Sequence, residues 1–355
     1  MGGLVSFTDA IDDSNRYSKR HLLLGNGFSI ACRSDIFHYE SLFGEADFSS
    51  MPEVKQVFEA LNTQDFEEAI KALESGSKLV PIYAPTVGGA SAAMGEHAAK
   101  IKELLVSTIA GNHPDIPSSI PDEKFWACRK FLNNFLNDEN GGQVYTLNYD
   151  LLLYWALMHE DIPFSEPYEI KMNDGFGSDE DEPEADYVIW QGDLGARGQC
   201  VHYLHGALHL FDSGPELKKY TWIRSGEPLI SQARNAMNDG YYPLFVSEGT
   251  SAKKKKKIRH SAYLHHSYKS FVANANQSKP CFFMFGHSMA ENDDHILTRI
   301  GRGKFPKLYV GIYGDPSNES NKAIISRANG LAAMRAARNP LDITFFDSAS
   351  AEVWG

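Results

Sequence analysis

Three short clusters combine glycine, serine, asparagine, aspartate and histidine at spacings that can do chemistry. The first, Gly25-Asn26-Gly27-Phe28-Ser29, directly follows the apolar run His21 to Leu24. Glycines let a backbone turn sharply and approach a pyrophosphate, and the free amides of a helix start favour negative charge. An ordinary strand-to-helix turn would use the same residues. Ile30 stands where the dehydrogenase fingerprint G-x-G-x-x-G needs its third glycine, which counts against hydride transfer. The second cluster, Thr146-Leu147-Asn148-Tyr149-Asp150, alternates polar and apolar residues after another apolar run, so Thr146, Asn148 and Asp150 reach one crevice. Asp150 could also simply cap the helix that follows. The third, Tyr203-Leu204-His205-Gly206, offers an imidazole able to serve as a general base, beside a glycine that lets a ligand approach.

These clusters need elements that hold them together. Apolar runs at His21 to Leu24, Gln143 to Leu147, Tyr187 to Trp190, Gln199 to Leu204, Leu244 to Ser247, Pro280 to Phe285, Lys307 to Ile312 and Leu341 to Phe346 read as strands. Several are apolar on both faces, and helical segments such as Asp150 to His159 and Asp294 to Ile300 separate them. That pattern predicts an α/β fold, doubly wound around a mainly parallel sheet. In such sheets ligands sit at strand ends, where the three clusters fall. Between about Asp47 and Asn140 the apolar spacing turns helical, as in Val54, Val57, Phe58 and Leu61, then Phe66, Ala69, Ile70 and Leu73. Two further helices are expected at about Ala92 to Ala110 and Glu123 to Leu136. The expected organisation is a discontinuous α/β domain, 1–46 and 141–355, with a helical insertion at 47–140.

Composition narrows the function. The 355 residues carry 34 basic and 46 acidic side chains, a net −12, which disfavours nucleic-acid backbones and anionic lipid as main ligands. Cys32, Cys128, Cys200 and Cys281 lie too far apart for a zinc knuckle or a C-x-x-C motif, and suit a reducing, cytoplasmic setting. No apolar stretch approaches the roughly 18 residues of a membrane span. Met1 to Ser6 fits the permissive myristoylation pattern, for which a plain disordered start is the alternative. His202, His205 and His209 form H-x-x-H-x-x-x-H, but the first falls within a predicted strand, so helical spacing does not apply and no metal is expected. His265, His266 and His287 read as structural or surface residues. The acidic segment Asp174 to Asp186 reads as a solvated loop. Lys253 to Lys257 reads as an exposed flexible loop, since self-repulsion argues against burial, with a phosphate or acidic partner as its functional use.

A family resemblance joins these clusters. Gly25-Asn26-Gly27-Phe28-Ser29 resembles the G-A-G-x-S nucleotide loop of the sirtuin superfamily, with Asn26 in place of the usual alanine. Thr146-Leu147-Asn148-Tyr149-Asp150 resembles its T-x-N-x-D motif, and His205-Gly206 its catalytic H-G pair. Phe285-Gly286-His287-Ser288, followed by Asn292-Asp293-Asp294, looks like the late G-x-S and aspartate segment of the branch found in bacterial defence proteins. The four motifs run in order over about residues 20 to 347. The resemblance implies a Rossmann-like, sirtuin-like sheet. It also implies NAD as substrate, bound by Gly25, Asn26, Gly27, Phe28, Ser29, Thr146, Gly286 and Ser288.

Sirtuin deacylases carry a four-cysteine zinc module that these cysteines cannot build, and the resemblance instead implies a zinc-free NAD hydrolase. Cleaving the nicotinamide–ribose bond leaves positive charge on the ribose, while nicotinamide departs neutral. His205 would then be the base, Asn148 would position ribose or water, and Asp150 would support them. The resemblance further implies a regulated anti-phage effector that depletes NAD, switched on by self-assembly or by a sensor protein, one that responds to a nucleotide being an option. The alternatives are a module that senses NAD or a related nucleotide without cleaving it and, more remotely, a protein deacylase.

Overall fold

The computed structural model describes residues 3–37, 42–49, 51–111, 113–137, 141–159, 170, 172–195, 198–214, 216–220, 227–246 and 250–355. Its strands, in chain order, are β1 (Arg20–Leu24), β2 (Val144–Thr146), β3 (Phe176–Gly177), β4 (Tyr187–Trp190), β5 (Val201–Tyr203), β6 (Gly206–Asp212), β7 (Leu217–Tyr220), β8 (Tyr242–Phe245), β9 (Cys281–Phe285), β10 (Lys307–Ile312) and β11 (Asp342–Asp347). Six of them form one sheet in the order β11-β10-β9-β1-β2-β5, and every pairing is parallel. Each residue of β1, β2, β5, β9 and β10 is buried. A sheet covered on both faces selects such continuous rather than alternating apolar strands. Helices Phe7–Ser14 and Glu319–Ala333 pack against β11, Asp122–Leu136 against β1, and Ala262–Ala275 against β5. Strand order reverses direction between β1 and β9, an arrangement compatible with a Rossmann-like fold.

The other five strands form an antiparallel sheet, β3-β4-β7-β6-β8. From sequence, Tyr187 to Trp190 and Leu244 to Ser247 belong to the parallel sheet; in the structure, β4 and β8 lie in this second one, and Ser247 is outside the described residues. A four-residue apolar run carries no information about the direction of its neighbour, so the pattern cannot separate the two cases. The chain passes between the sheets over two residues, Leu204 and His205, from the end of β5 to the start of β6. Gly206 makes this corner possible. Its φ is +74°, and a Cβ there would meet the Leu244 carbonyl oxygen at 1.9 Å. The glycine thus answers a neighbouring strand rather than an approaching ligand.

Helices Pro52–Leu61, Phe66–Tyr83 and Ala90–Gly111 occupy the segment expected to be helical. Phe66–Tyr83 starts at Asp65, whose side chain accepts from the amides of Glu67 and Glu68. Phe43, Phe48, Phe58 and Phe66 pack together, with ring centroids 5.1 to 6.2 Å apart along the contacts. The segment touches the second sheet through Tyr242, which donates to Glu74 Oε1 at 3.2 Å.

Three local expectations are corrected. The lysine run is not a flexible loop: it lies in helix Ser251–His260, which Thr250 caps. Acidic partners offset the self-repulsion. Lys254 pairs with Asp293 at 3.0 Å, Lys257 pairs with Asp65, and Lys253 donates to the Asn62 carbonyl at 2.9 Å. The N-terminal start is not disordered from Val5 onward, which bridges to Phe346, and Ser6 forms a capping box with Asp9 on helix Phe7–Ser14. Gly2, the acceptor in the myristoylation pattern, lies outside the described residues. The acidic segment is exposed at 178, 180–184 and 186 but not throughout: Asp174 pairs with Lys219 at 2.6 Å, and Asp179 is buried against Tyr187. Among the described residues no helix is long and apolar enough to cross a membrane.

Two glycines test the corner. Gly214 has φ +91° in open space, whereas Gly206 has positive φ and no room. Gly214→Ala should cost about 1 kcal/mol and Gly206→Ala more than about 3 kcal/mol in urea unfolding, because only the second adds a backbone clash to the strain. Equal losses would contradict this account of the corner.

Candidate functional site

Parallel register brings the sequence clusters to one sheet edge. Leu24 pairs with Thr146 and with Phe285, and Thr146 pairs with Tyr203. Gly25, Asn148, His205 and Gly286 therefore emerge from the carboxyl ends of four adjacent strands. This edge holds the β1/β9 switch point, where open α/β sheets receive ligands.

The glycines pack against each other. A Cβ on Gly25 would meet the Gly286 oxygen at 2.8 Å, and one on Gly27 would meet Gly286 Cα at 2.6 Å. Gly25 N donates to the Phe285 oxygen at 2.9 Å and Gly27 N to the Gly286 oxygen at 2.8 Å. The amides of Phe28 and Ser29 donate to Gly25 and Asn26. The row of free amides expected around Gly27 is thus committed within the protein, and the glycines serve the close approach of two loops. Asn26 is exposed at the rim, its Nδ2 donating to the Phe37 carbonyl at 3.0 Å. Phe28 is a core residue: its ring lies 5.0 Å from that of Trp354, whose Nε1 donates to the Phe28 carbonyl at 2.8 Å.

Ser29 is wholly buried, and its hydroxyl does not face outward to hold phosphate. It donates to Asp150 Oδ2 at 2.5 Å and accepts from Asn148 Nδ2 at 2.9 Å. Asn148 Nδ2 also donates to the Gly25 carbonyl at 3.1 Å, so both amide protons are used. Oδ1 of Asn148 meets no partner among the described residues. Thr146 is likewise buried, its Oγ1 accepting from Asn148 N at 3.0 Å. Asp150 is not the N-cap of helix Leu152–Met158, a position that Leu151 holds, but it satisfies that helix's first amide: its Oδ1 accepts from Leu152 N at 2.9 Å, while Oδ2 holds Ser29. Burial pushes its carboxyl up to about 6, against the opposing pull of the Ser29 hydroxyl and the Leu152 amide. His113 braces the same loop: Leu151 N donates to its Nε2 at 2.9 Å, so its Nδ1 carries the proton that meets the Pro114 carbonyl at 2.8 Å.

His205 anchors a second polar group, also buried. Its Nε2 lies 3.0 Å from His295 Nε2 and 4.0 Å from Asp293 Oδ1. His287, expected to be structural or at the surface, is buried with Nε2 at 3.6 Å from Asp293 Oδ2, while its Nδ1 accepts from Met289 N at 2.7 Å. Met289 has φ +57°, an unusual conformation for a non-glycine residue, in the same turn. Burial opposes ionisation of Asp293, but His205, His287 and Lys254 around it more than compensate and hold its pKa at about 2. Burial, foremost, drives His205 well below 6.5; Asp293 pulls it back, and Lys254 pushes with burial. His205 is therefore neutral at pH 7, the form a base requires. Single atoms of His205, Asp293 and His295 lie within 4.8 Å of one another, a spacing that a cation can bridge. The positive charge in this cluster, however, is the Lys254 ammonium.

His202 and His209 do not join His205. His202 stacks on Tyr145, with its Nε2 3.1 Å from Gln143 Oε1, and His209 stacks on Tyr154. Gly286 is half-buried and Ser288 exposed at the sheet edge. Asp293 entered from sequence only within the late motif and Lys254 only within the lysine run, and His295 had no role. A weak signal existed: Asn292-Asp293-Asp294-His295 follows the Gly286 turn, as polar residues at strand ends do in the other clusters.

Two measurements check this site. Because the Asp150 carboxyl rises from 3.8 to about 6 on folding, the native state binds more protons between those values. Stability contributed through this group is full below 3.8 and is lost as pH rises through 6. Asp150→Asn removes that dependence, so the variant should gain on wild type by on the order of 1–3 kcal/mol between pH 4 and pH 8. A pH-independent difference would sink the assignment. For the lysine helix, Lys254→Ala leaves the Asp293 carboxylate unpaired and should cost about 3–5 kcal/mol, against about 0.5 kcal/mol or less for exposed Lys256→Ala. Similar small losses in urea unfolding would mean that Lys254 is not a structural ion-pair residue.

A search of curated proteins finds no match to the chain. Residues 22–354 match the family described as Domain of unknown function (DUF4917). This span takes in all four clusters, both sheets and the polar groups around Ser29 and His205, and the chain belongs to the DUF4917 family.

Proposed function

We propose that the chain is a cytoplasmic NAD glycohydrolase that cleaves the nicotinamide–ribose bond, with a sirtuin-like site and no zinc module. One observation carries this most: Asn148 spends both amide protons on Gly25 and Ser29 and keeps Oδ1 without a partner among the described residues, at the edge from which neutral His205 also emerges. An acceptor fixed in this way suits a ribose hydroxyl or an attacking water, and a neutral imidazole suits removal of its proton. Asp150 acts at one remove, by holding Ser29 and the turn of Leu152. The glycines at 25, 27 and 286 already meet one another and their loop amides are committed, so the dinucleotide would lie over this contact rather than in a free amide nest.

Cleavage proceeds by loss of neutral nicotinamide as positive charge grows on the ribose, followed by capture with water. Water adds its oxygen to the ribose carbon and gives its proton to His205, yielding ADP-ribose. An activity that drains NAD needs restraint, so we further propose control by an activator protein or by self-assembly during phage infection. The end of helix Phe66–Tyr83, where Leu79, Ile82, Tyr83 and Val87 are exposed, is a candidate contact surface.

The test is nicotinamide release from NAD, followed by mass spectrometry with purified protein alone and with lysate from infected cells. Wild type should release nicotinamide, and His205→Ala and Asn148→Ala should each release it roughly 100-fold more slowly or less. Undiminished release by both variants would refute these roles. Thermal stabilisation by NAD without turnover in either condition would make the chain a nucleotide-binding module instead.

A further inference from the structure

We propose that His295 is a positioning residue for His205: it accepts the His205 Nε2 proton and so fixes the tautomer whose Nδ1 is free to take a proton from substrate. The role of His205 as base, and the direction of the proton argued from it, rest on the function proposed above; the hydrogen bond itself does not.

The geometry leaves few choices. The two Nε2 atoms face each other at 3.0 Å between rings inclined by 22°, and both side chains are buried. At that distance one nitrogen must carry a proton and the other a lone pair. With Nε2 turned to His295, Nδ1 is the nitrogen left to His205 for a ligand. A base must present a lone pair there, so its proton sits on Nε2 and points at His295. His295 Nε2 then accepts, which puts the His295 proton on Nδ1. That nitrogen lies 3.2 Å from Ser251 Oγ, a hydroxyl that also accepts from the His295 backbone amide at 2.7 Å. In this tautomer two lone pairs on Ser251 meet two donors from one residue, which holds the imidazole in place.

The surrounding charges fit this direction. Asp293 Oδ1, at 4.0 Å from His205 Nε2, favours the imidazolium that forms when Nδ1 takes a proton. Lys254, His287 and His295 oppose that charge, and burial opposes it most. A gained proton is therefore held briefly rather than stored. Ser251 and Lys254 both come from the helix that carries the lysine run, so this helix forms the back wall of the proposed base. In effect His295 resembles the third member of a catalytic triad, acting through the base and not on substrate.

The test combines a spectrum with kinetics. In long-range 1H–15N spectra of histidine-labelled protein at pH 7.5, His205 should show a protonated Nε2 and a bare Nδ1, and His295 a protonated Nδ1 and a bare Nε2. His295→Ala should move His205 to a mixture of tautomers. His295→Gln, whose side-chain oxygen can accept the same proton, should retain the single form. Turnover in nicotinamide release should fall on the order of 100-fold in His295→Ala with KM within about 3-fold, and should recover in part in His295→Gln. A His205 Nδ1–H tautomer in wild type, or an unchanged tautomer in His295→Ala, would overturn the proposal. Failure of wild type to release nicotinamide would overturn the hydrolase reading while the spectra still decide the hydrogen bond.

Discussion

A hydroxyl buried between an amide and a carboxylate sets the geometry of the sheet edge. Ser29 is wholly buried, and a buried hydroxyl left without partners costs free energy. Asp150 takes the proton and Asn148 supplies a donor. That choice orients the Asn148 amide, with nitrogen inward and oxygen outward, and ties the helix after β1 to the loop after β2. Ser29 can sit there only because the preceding turn is packed against Gly286 more closely than any side chain allows. The glycines and the polar network are thus one device: close backbone approach places the hydroxyl, and the hydroxyl places the amide.

His205 is positioned by a different means. It occupies a corner where the chain leaves the parallel sheet for the antiparallel one, with its carbonyl accepting from Val246 N at 2.7 Å. The strand pairing that follows forces a glycine at 206 and leaves the imidazole little freedom. Behind it, Asp293 and Lys254 form a buried ion pair, whose desolvation is tolerated because each charge has its counter-charge and further polar neighbours. The lysine run so becomes part of the interior on one face and of the surface on the other, which a run of like charges does not announce.

Much of this was legible in the sequence, unevenly and for physical reasons. The parallel strands stood out because two-sided burial demands continuous apolar runs, and the clusters at Gly25, Asn148 and His205 stood out because polar residues there break those runs. The second sheet was not legible, since β4 and β8 are four residues each and such short strands do not reveal their neighbours' direction. The burial of Lys254 was hidden because its partner Asp293 is distant in sequence. So was the duty of Ser29: a serine after G-x-G reads as a phosphate ligand until the structure turns its hydroxyl inward. His295 was missed because a lone histidine carries no periodic signal and its role depends on what it faces.

The central claim is that a dinucleotide lies across the carboxyl ends of β9, β1, β2 and β5. The most direct measurement is a crystal structure of the protein soaked with ADP-ribose. The account predicts the pyrophosphate over the Gly25–Gly286 contact and a ribose hydroxyl within about 3 Å of Asn148 Oδ1, beside His205. Density for ADP-ribose away from this edge, or a ribose out of reach of both side chains, would contradict it.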